Sequence, residues 1–530
     1  MSTQLLIGGR FYSSSSPDAT AMAVTDGTVV WLGAEQPGRA LHPGAEIIDL
    51  DGAFVAPAFV DPHVHVTALG LKLTGLDLSA ARSLDHCLEL LRAFAVAHPD
   101  GAILGDGWDE TGWPQGRPPT IEEIDAAVRP GRQVYLSRVD AHSAVVSSAL
   151  LNATVTAAEG FTRGEPLRAA AHHLVRGEVL AGLDRAQRDR ARKAALDAAA
   201  ARGVAAVHEC GGPEIAGRTD IRELLEFEHG VEVRAYWGEA VRTVDAARSL
   251  IAELGVHALG GDLFVDGSIG SRSARLRAPY ADDGGTGLGY LDAGTIAAHV
   301  RACTEAGIQA GFHVIGDAAM DEVVAGFGQV VDALGGPAVA ARGHRVEHAE
   351  MIDADQIAQL GAWGVIASVQ PGFDATWGGP DGMYATRLGP ERAAALNPFA
   401  AMAAAGIALA IGSDAPVTAL DPWSAIRAAV NHRTPGHGLS PRAAFAAATR
   451  GAWRAGGVRD GLAGTLVPGA PGSYAIWDAD DLVVAAAADT VQRWSTDPRS
   501  RVPGLPPLDP DAKLPTCLRT VHRGVTIHEA

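Results

Sequence analysis

The sequence predicts an α/β fold: a TIM-like (β/α)8 barrel with a small β-sandwich formed by both ends of the chain. Two observations predict it. Short β-branched runs alternate with Ala-rich segments of helical period through the middle of the chain, and short strands separated by turn residues occupy both ends. A chain of 530 residues is long enough for a barrel with additions.

The two ends share one pattern. Residues 1–57 alternate apolar and polar residues in short pieces separated by Gly, Asp and Pro, which is typical of strands joined by tight turns. Residues 464–530 show the same pattern. We therefore expect the two segments to pair into one sandwich.

Residues 58–463 are predicted to form the barrel. Eight strand-like runs are each followed by a helical stretch, and they are, in order, FVAPAFVDPHVHV, AAVHECGG, VRAYWGEA, DLFVDGS, AGFHVIGD, HRVEHAE, GVIASVQP and IALAIGSDAP. A long interruption at about 69–190 follows the first strand and contains its own strand-like QVYLSRV. We interpret it as an inserted subdomain.

Composition excludes several classes of protein. The 47% hydrophobic and 20% charged content is globular, and a net charge of −19 disfavours binding to nucleic acid or anionic lipid. The four cysteines are scattered, and neither an export signal nor a membrane-spanning run is found. We expect a cytoplasmic protein that acts on a small molecule, with no nucleic-acid or membrane partner.

The first barrel strand ends in Asp61-Pro62-His63-Val64-His65. Because side chains alternate along a strand, His63 and His65 point to the same side. Two such imidazoles can bind one divalent cation, of which Zn²⁺ is the usual choice. The alternative is an ordinary pair of polar residues at a strand end.

Three more candidate ligands follow later strands. His313, His348 and Asp414 fall at the carboxyl ends of predicted strands, where barrel enzymes place their catalytic groups. Each alone is a weak signal, since a single histidine is more often structural and Ser-Asp-Ala-Pro is an ordinary turn. Together they are typical of a hydrolytic metal site.

With these motifs the sequence resembles the amidohydrolase superfamily, and specifically its amidohydrolase 3 branch of YtcJ-like proteins, which includes N-substituted formamide deformylases. The resemblance extends over essentially the whole chain, through GDGWDETGWPQGRPPT, VDAHSAVVSSALL, VDGSIGSRSARLRAPY, RVEHAEMI, SVQPGF and IGSDAPVTALDPWSAIRAAV. It implies a TIM-like metallo-barrel with a terminal β-sandwich, hydrolysis of a C–N bond and a homodimer. It also places five residues at metal-ligand positions: His63, His65, His313, His348 and Asp414.

One position departs from this pattern. The branch carries a lysine, carboxylated to bridge two metals, where GDLFVDGS has Asp262. Lys72, Lys193 and Lys513 lie at no strand end that could replace it. Asp262 could ligate or bridge, the site could hold one metal, or hydrolysis could be lost. We favour a single ion, with Zn²⁺ ahead of Fe²⁺, Mn²⁺ or Ni²⁺.

The expected mechanism is attack by a metal-activated water. Asp414 would be the general base and then the general acid that protonates the leaving nitrogen. His348 would be either a ligand or the imidazole that stabilises the oxyanion.

The expected substrate contacts come from the insertion and the strand ends. Trp108, Asp109 and His142 lie in the segment that should overhang the barrel mouth, and Arg272 and Gln370 follow later strands. Packing, turn capping and surface ion pairing are the alternatives for these residues. His208 and Glu209 could support the metal site, whereas His172 and His173, adjacent on a helix, do not share a face.

Three functions remain open. An amide or N-formyl hydrolase comes first, a mononuclear-metal deaminase of a heterocycle second, and an inactive barrel homologue that acts as a binding protein third.

Overall fold

The computed structural model describes residues 2–484 and 503–530. It has twenty-two strands in those ranges, β1–β22 in chain order: Thr3–Ile7, Arg10–Phe11, Ala21–Thr25, Thr28–Gly33, Glu46–Asp49, Phe54–Pro57, Phe59–Val64, Leu76–Asp77, Ile103–Trp108, Val134–Arg138, Ser143–Val146, Leu167–Arg168, Val204–Gly211, Glu232–Trp237, Ala258–Leu259, Gly311–Val314, Arg345–His348, Ile366–Val369, Ala408–Ile411, Tyr474–Asp478, Thr516–His522 and Val525–Glu529.

The same ranges contain twenty α-helices, α1–α20: Glu35–Leu41, Val66–Thr74, Leu84–Ala97, Ile121–Ala127, Ala153–Ala157, Ala169–Ala181, Arg185–Ala200, Gly217–Glu226, Val244–Leu254, Ala293–Ala306, Asp317–Leu334, Gly336–Ala340, Ala354–Ala362, Pro371–Trp377, Met383–Leu388, Pro390–Ala394, Phe399–Ala404, Pro422–Val430, Pro441–Ala446 and Ala452–Ala455. None of the described helices is long and apolar enough to cross a membrane.

The central strands form two parallel four-stranded sheets. Their orders are β15-β14-β13-β7 and β16-β17-β18-β19. Single parallel bridges, Val64 to Ala415 and Leu259 to Ala310, join the edges of the two sheets on both sides. All eight strands therefore run in one direction, so their carboxyl ends, and the side chains that follow them, meet at one face.

The fourth predicted strand is corrected by the structure. The regular ladder is Ala258–Leu259, and the run DLFVDGS that follows makes only isolated bridges, from Phe264 to His313 and from Asp266 to Gly289. Gly260, with φ 158°, lies between the two segments. A Cβ there would lie 2.3 Å from the backbone nitrogen of Gly311, so this close approach requires a glycine. The chain turns at this close approach, and the turn brings Asp262 to the carboxyl ends of the central strands.

Strands from both ends of the chain share one sheet, in the order β2-β6-β20-β21-β22. A second sheet, β4-β3-β1-β5, comes from the N-terminal segment alone. Apolar side chains from both sheets pack into one cluster, which includes Met22, Val29, Val55 and Tyr474. Because β6 leads directly into β7, this packing fixes the start of the strand that carries His63.

The interrupting segment has its own sheet, in the order β12-β11-β10-β9-β8. A separate apolar cluster on one side of it contains Leu88, Leu91, Trp108 and Leu136. Helix α2, which precedes this sheet, packs on α7, which follows it. In chain order, the segment falls between the first and second central strands, β7 and β13.

Candidate active site and metal centre

Six side chains of metal-ligand type converge at the carboxyl ends of the central strands. β7 carries His63 and is followed by His65, β16 carries His313, β17 ends with His348, and Asp414 follows β19. Asp262 enters from the turn after β15. All six side chains are at most 11% exposed, so the cluster lies out of bulk water.

The two carboxylates lie between the imidazoles. Asp262 Oδ1 is 3.3 Å from His63 Nε2, 3.5 Å from His313 Nδ1 and 3.9 Å from His348 Nε2. His65 Nε2 is 3.2 Å from Asp262 Oδ2 and also 3.2 Å from Asp414 Oδ1. His63 and His65 thus reach the same pair of carboxylates. Among the described residues, four sets of three have potential ligand atoms within 4.8 Å of one another. They are His63-His348-Asp414, His63-Cys210-Glu347, His63-His65-Asp262 and Asp262-His313-His348.

The outer nitrogens of three of these histidines are bound to protein oxygens. His63 Nδ1 lies 3.0 Å from Glu347 Oε2, His313 Nε2 lies 3.2 Å from Gly267 O, and His348 Nδ1 lies 2.8 Å from Gln370 Oε1. Each outer nitrogen therefore carries the proton, and the inner nitrogen presents its lone pair to the cluster. The inner nitrogens of His63 and His313 have no hydrogen-bond partner.

The arrangement suits a cation. Lone pairs of imidazoles face carboxylate oxygens, and burial makes such contacts unfavourable unless positive charge lies between them. Burial alone lowers the pKa of His65, but hydrogen bonds to Asp262 and Asp414 outweigh it and raise that pKa to about 10. Burial raises the pKa of Asp262, yet the surrounding imidazoles, His63 first, hold it well below its usual range. These residues fit a divalent metal ion, which neutralises both carboxylates and takes imidazole ligands.

A second layer of charge supports His63. Glu347 is fully buried, and burial raises its pKa, but Arg345 and His63 reverse this and lower it to about 2. Arg345 donates to both Glu347 oxygens at 2.9 and 2.8 Å and to the carbonyl of Pro62 at 2.7 Å. The ionised Glu347 thus fixes the orientation of His63. Glu347 was not among the residues predicted from the sequence, although its position beside His348 in RVEH was the available signal.

His208 and Glu209 lie behind the cluster. His208 Nδ1 accepts from Arg345 at 3.0 Å, and Glu209 Oε2 accepts from the backbone nitrogen of Val66 at 2.6 Å. Glu209 therefore fixes the start of the helix that follows His65. Both residues thus contact groups that adjoin the metal cluster, a supporting role that the sequence left open.

A cavity of about 110 Å³ opens beside the cluster. His65, Asp262, His313 and Asp414 form its floor, and His142 from the interrupting segment joins its wall. The His142 ring lies 5.1 Å from the His313 ring. Burial and the neighbouring His313 lower the pKa of His142 to about 3, so the ring is neutral.

Four predicted substrate residues lie elsewhere. Trp108 is fully buried in the core of the interrupting segment and donates from Nε1 to Leu136 O at 2.8 Å. Asp109 accepts from Arg138 at 2.8 Å. Arg272 donates to Asp282 at 3.1 and 2.8 Å, and Gln370 contacts His348. The first three lie outside the cavity because packing or ion pairing holds them, and Gln370 orients a ligand-type histidine.

Sequence reasoning also missed two cations of the cavity wall, Lys72 and Arg176. Lys72 lies 3.1 Å from Asp106 and donates to Pro416 O at 3.0 Å. Both residues lie on helices of ordinary composition, so no local pattern marks them. His172 is buried and lies 2.8 Å from Tyr135 OH, outside the metal cluster.

The model of the amidohydrolase family (Amidohydro_3) matches residues 46–528. The putative amidohydrolase YtcJ of Bacillus subtilis is 28% identical over 458 residues, which cover 80% of this chain and 82% of that protein. The N-substituted formamide deformylase of Arthrobacter pascens is 29% identical over 138 residues, which cover 25% of each chain.

Solved structures agree with the family match. The crystal structure of an uncharacterised metal-dependent hydrolase from Pyrococcus furiosus superposes with a TM-score of 0.67 at 26% identity, covering 90% of this chain and 99% of that one. The fold is therefore that of the TIM-like metallo-hydrolases, and the protein is a YtcJ-like, metal-dependent hydrolase of carbon–nitrogen bonds. The chain belongs to the amidohydrolase family.

Proposed function

We propose that this protein hydrolyses an amide or N-formyl C–N bond at the cluster of His63, His65, His313, His348 and Asp414. The observation that carries the proposal is the set of imidazole lone pairs and carboxylates directed at one buried point beside a cavity. The partial match to an N-substituted formamide deformylase favours the N-formyl type.

The proposed cofactor is one Zn²⁺ ion per chain. Imidazole and carboxylate donors in a buried site suit zinc. Asp262 serves as a ligand, because its Oδ1 lies within 3.9 Å of three inner imidazole nitrogens. Its short side chain places the carboxylate inside one group of ligands, whereas a carboxylated lysine is long enough to bridge two ions. His348 is a ligand too, because Gln370 holds its protonated nitrogen outward.

An ion held by the residues of this cluster would act as a Lewis acid and would lower the pKa of a bound water. Asp414 directs Oδ1 to His63 and His65, at 3.4 and 3.2 Å, which leaves Oδ2 to accept the proton of the attacking water. The same oxygen then returns the proton to the leaving nitrogen. The neutral His142 on the cavity wall binds the substrate through a ring N–H. The buried walls exclude other water from the site.

Metal content and product analysis test the proposal. The protein is purified without chelators, its metal content is measured by elemental mass spectrometry, and it is assayed with N-formyl amines, neutral amides and aminated heterocycles. We expect one ion per chain, with release of formate or a carboxylate. The His313→Ala variant loses metal, and Asp262→Lys restores the residue that the family resemblance implies and binds two ions.

The other outcomes contradict specific parts. Two ions in the parent protein contradict the single-metal site. Ammonia release from a heterocycle favours the deaminase. The absence of metal after reconstitution, together with no turnover, favours a binding protein.

We also propose the domain organisation. Residues 1–57 and 464–530 form the two halves of a β-sandwich, supported by the sheet that β6 and β20 share. Residues 58–463 form the barrel, with about 69–190 inserted; of the C-terminal half, residues 485–502 lie outside the described residues. A homodimer, a cytoplasmic location and a small-molecule substrate as the partner remain predictions.

A further inference from the structure

The cavity beside the metal cluster contains a guanidinium that has no carboxylate partner among the residues that the structure describes. Arg176, on α6, donates from Nη1 to Ala141 O at 3.3 Å and from Nη2 to Glu214 O. Nη2 also lies 3.2 Å from His173 Nδ1. Its Nε is buried without a hydrogen-bond partner. The groups bonded to Arg176 are therefore uncharged. The nearby carboxylate of Glu214 is 60% exposed and contacts His173 Nδ1 at 3.8 Å; it makes no described ion pair with Arg176.

The other charged groups of the cavity wall are already engaged. The pairs are Lys72 with Asp106 at 3.1 Å, Asp140 with Arg138 at 2.9 Å, and Asp220 with Arg192 at 2.7 Å, while Glu209 accepts from a backbone nitrogen at 2.6 Å. Asp262 and Asp414 belong to the metal cluster. Arg176 is thus the described cation of this wall that remains available to a ligand.

The surroundings of Arg176 are apolar. Leu104, Leu180, Ile215 and Phe264 line the same cavity. An unpaired charge beside such groups is costly, and a guanidinium in this setting binds a carboxylate strongly. Burial, followed by the charge of Arg176, lowers the pKa of His173 to about 3, so this neighbour is neutral and does not compete for an anion.

Arg176 is connected to the reaction centre through His142. The carbonyl that accepts from Arg176 belongs to Ala141, and the next ring along the chain, His142, lies 5.1 Å from the ring of His313. Because Arg176, Asp262 and His313 line the same cavity, one substrate can contact both Arg176 and the cluster, with its apolar part between them.

We propose that Arg176 binds a carboxylate on the substrate and thereby determines specificity. The substrate class is an N-acyl or N-formyl compound with a carboxylate and an apolar side group, such as an N-formyl amino acid. The inference rests on the proposed function for the position of the scissile bond. A single guanidinium in a cavity of this size suits the single charge of a carboxylate better than a phosphate ester.

A matched pair of probes tests the inference. N-formylleucine and N-formylleucinamide differ in the carboxylate alone. Their binding to the metal-loaded protein is measured by calorimetry, and their kcat/KM values by product release. We expect the parent protein to prefer N-formylleucine by about 10-fold or more in both measurements, because a charge-assisted hydrogen bond is worth that factor.

Three variants make the comparison specific. Arg176→Gln should reduce the preference for N-formylleucine over N-formylleucinamide to about one-fold, and Arg176→Lys should retain part of it. Arg163→Gln removes an exposed arginine from the same segment and should leave the preference unchanged. Circular dichroism checks that each variant is folded.

The outcomes separate the inference from the proposed function. Hydrolysis of both probes with equal kcat/KM, or a preference that survives in Arg176→Gln, overturns the inference alone. A binding preference that depends on Arg176 but without hydrolysis supports the anion site and overturns the proposed function. Failure of the metal-loaded protein to bind either probe overturns the inference.

Discussion

The ligand-type residues could be predicted from the sequence because their residue types and strand-end positions carry the information. His63, His65, His313, His348 and Asp414 all come together at one point. Their supporting partners could not be predicted in the same way. Gly267 contributes a backbone carbonyl, which any residue has, and the contact between His348 and Gln370 depends on how two strands align.

Two of the same residues have a strained backbone. His348 has φ 69° and Asp414 has φ 55°, backbone angles that few residues other than glycine adopt. Each costs on the order of 1–3 kcal/mol. The backbone nitrogen of Asp414 donates to His63 O at 2.8 Å, so the first and last central strands hold the strained residue in place. The position of the carboxylate is maintained at the expense of stability.

The role of Asp414 in proton transfer gives a prediction at this scale. Replacing Asp414 with Asn keeps the size of the side chain and removes its capacity to accept a proton. We expect kcat to fall by about 100-fold or more, since proton transfer contributes about 10²–10⁴-fold. The melting temperature should change little. Steady-state kinetics measured with metal content will check this, with the exposed Asp332→Asn as the control. Near-normal turnover would show that another group moves the proton.

The predicted substrate residues that lie outside the cavity lining show what residue patterns leave out. Asp109 and the neighbouring Glu110 and Asp140 all pair with Arg138, which is buried. A sequence shows acidic and basic residues but not which of them neutralise each other. For the same reason Arg176 could not be predicted from the sequence. Its importance depends on its having no carboxylate partner among the described residues, which only the structure shows.

At the scale of elements, the packing of α2 against α7 positions the metal cluster. Helix α2 starts directly after His65, and a Cβ on Gly70 would lie 1.8 Å from the carbonyl oxygen of Ala191 on α7. The backbones of the two helices approach closely at this point. The glycine is therefore required by the contact between helices, not by the local conformation.

Two glycines in helices provide a matched test of this contact. Gly70→Ala must push the helices apart, and we expect it to lower the free energy of unfolding by about 1–3 kcal/mol or more. Gly177→Ala, on the exposed side of α6 with no atom within 4 Å of the new Cβ, should be neutral or stabilising by up to about 1 kcal/mol. Denaturant unfolding of both variants decides the matter. Equal stabilities would mean that α2 and α7 separate without cost.

The order of elements was predictable where each local signal was strong. The structure has parallel strands at seven of the eight predicted runs, because β-branched residues and following helices mark them. The run DLFVDGS has the same composition but forms no regular ladder. Its backbone path is set by the contact of Gly260 with Gly311, a tertiary constraint that composition does not reveal.

At the scale of the whole molecule, long-range pairing explains most of what the sequence could not supply. Strands β6 and β20 are neighbours in one sheet although more than 400 residues separate them in the chain. The similar alternation of apolar and polar residues at both ends of the chain predicted the pairing, but no residue pattern gives the register of the two strands. Residues 485–502, within the predicted C-terminal half, are outside the described ranges.

His344, a buried histidine outside the metal cluster, predicts how the free energy of unfolding depends on pH. His344 accepts from Ala310 N at 2.9 Å and contacts Thr304 Oγ1 at 2.9 Å, and burial lowers its pKa to about 3. The unfolded chain takes up this proton near pH 6.5, so the contribution of His344 is complete above that pH and is lost as the pH falls. The effect amounts to about 2 kcal/mol between pH 7.5 and pH 5. His344→Gln should remove it, so the stability of the variant relative to the parent rises by that amount on acidification. Denaturant unfolding at both pH values, with the exposed His98→Gln as the control, measures the difference. A difference that is independent of pH would mean that His344 is protonated in the folded protein.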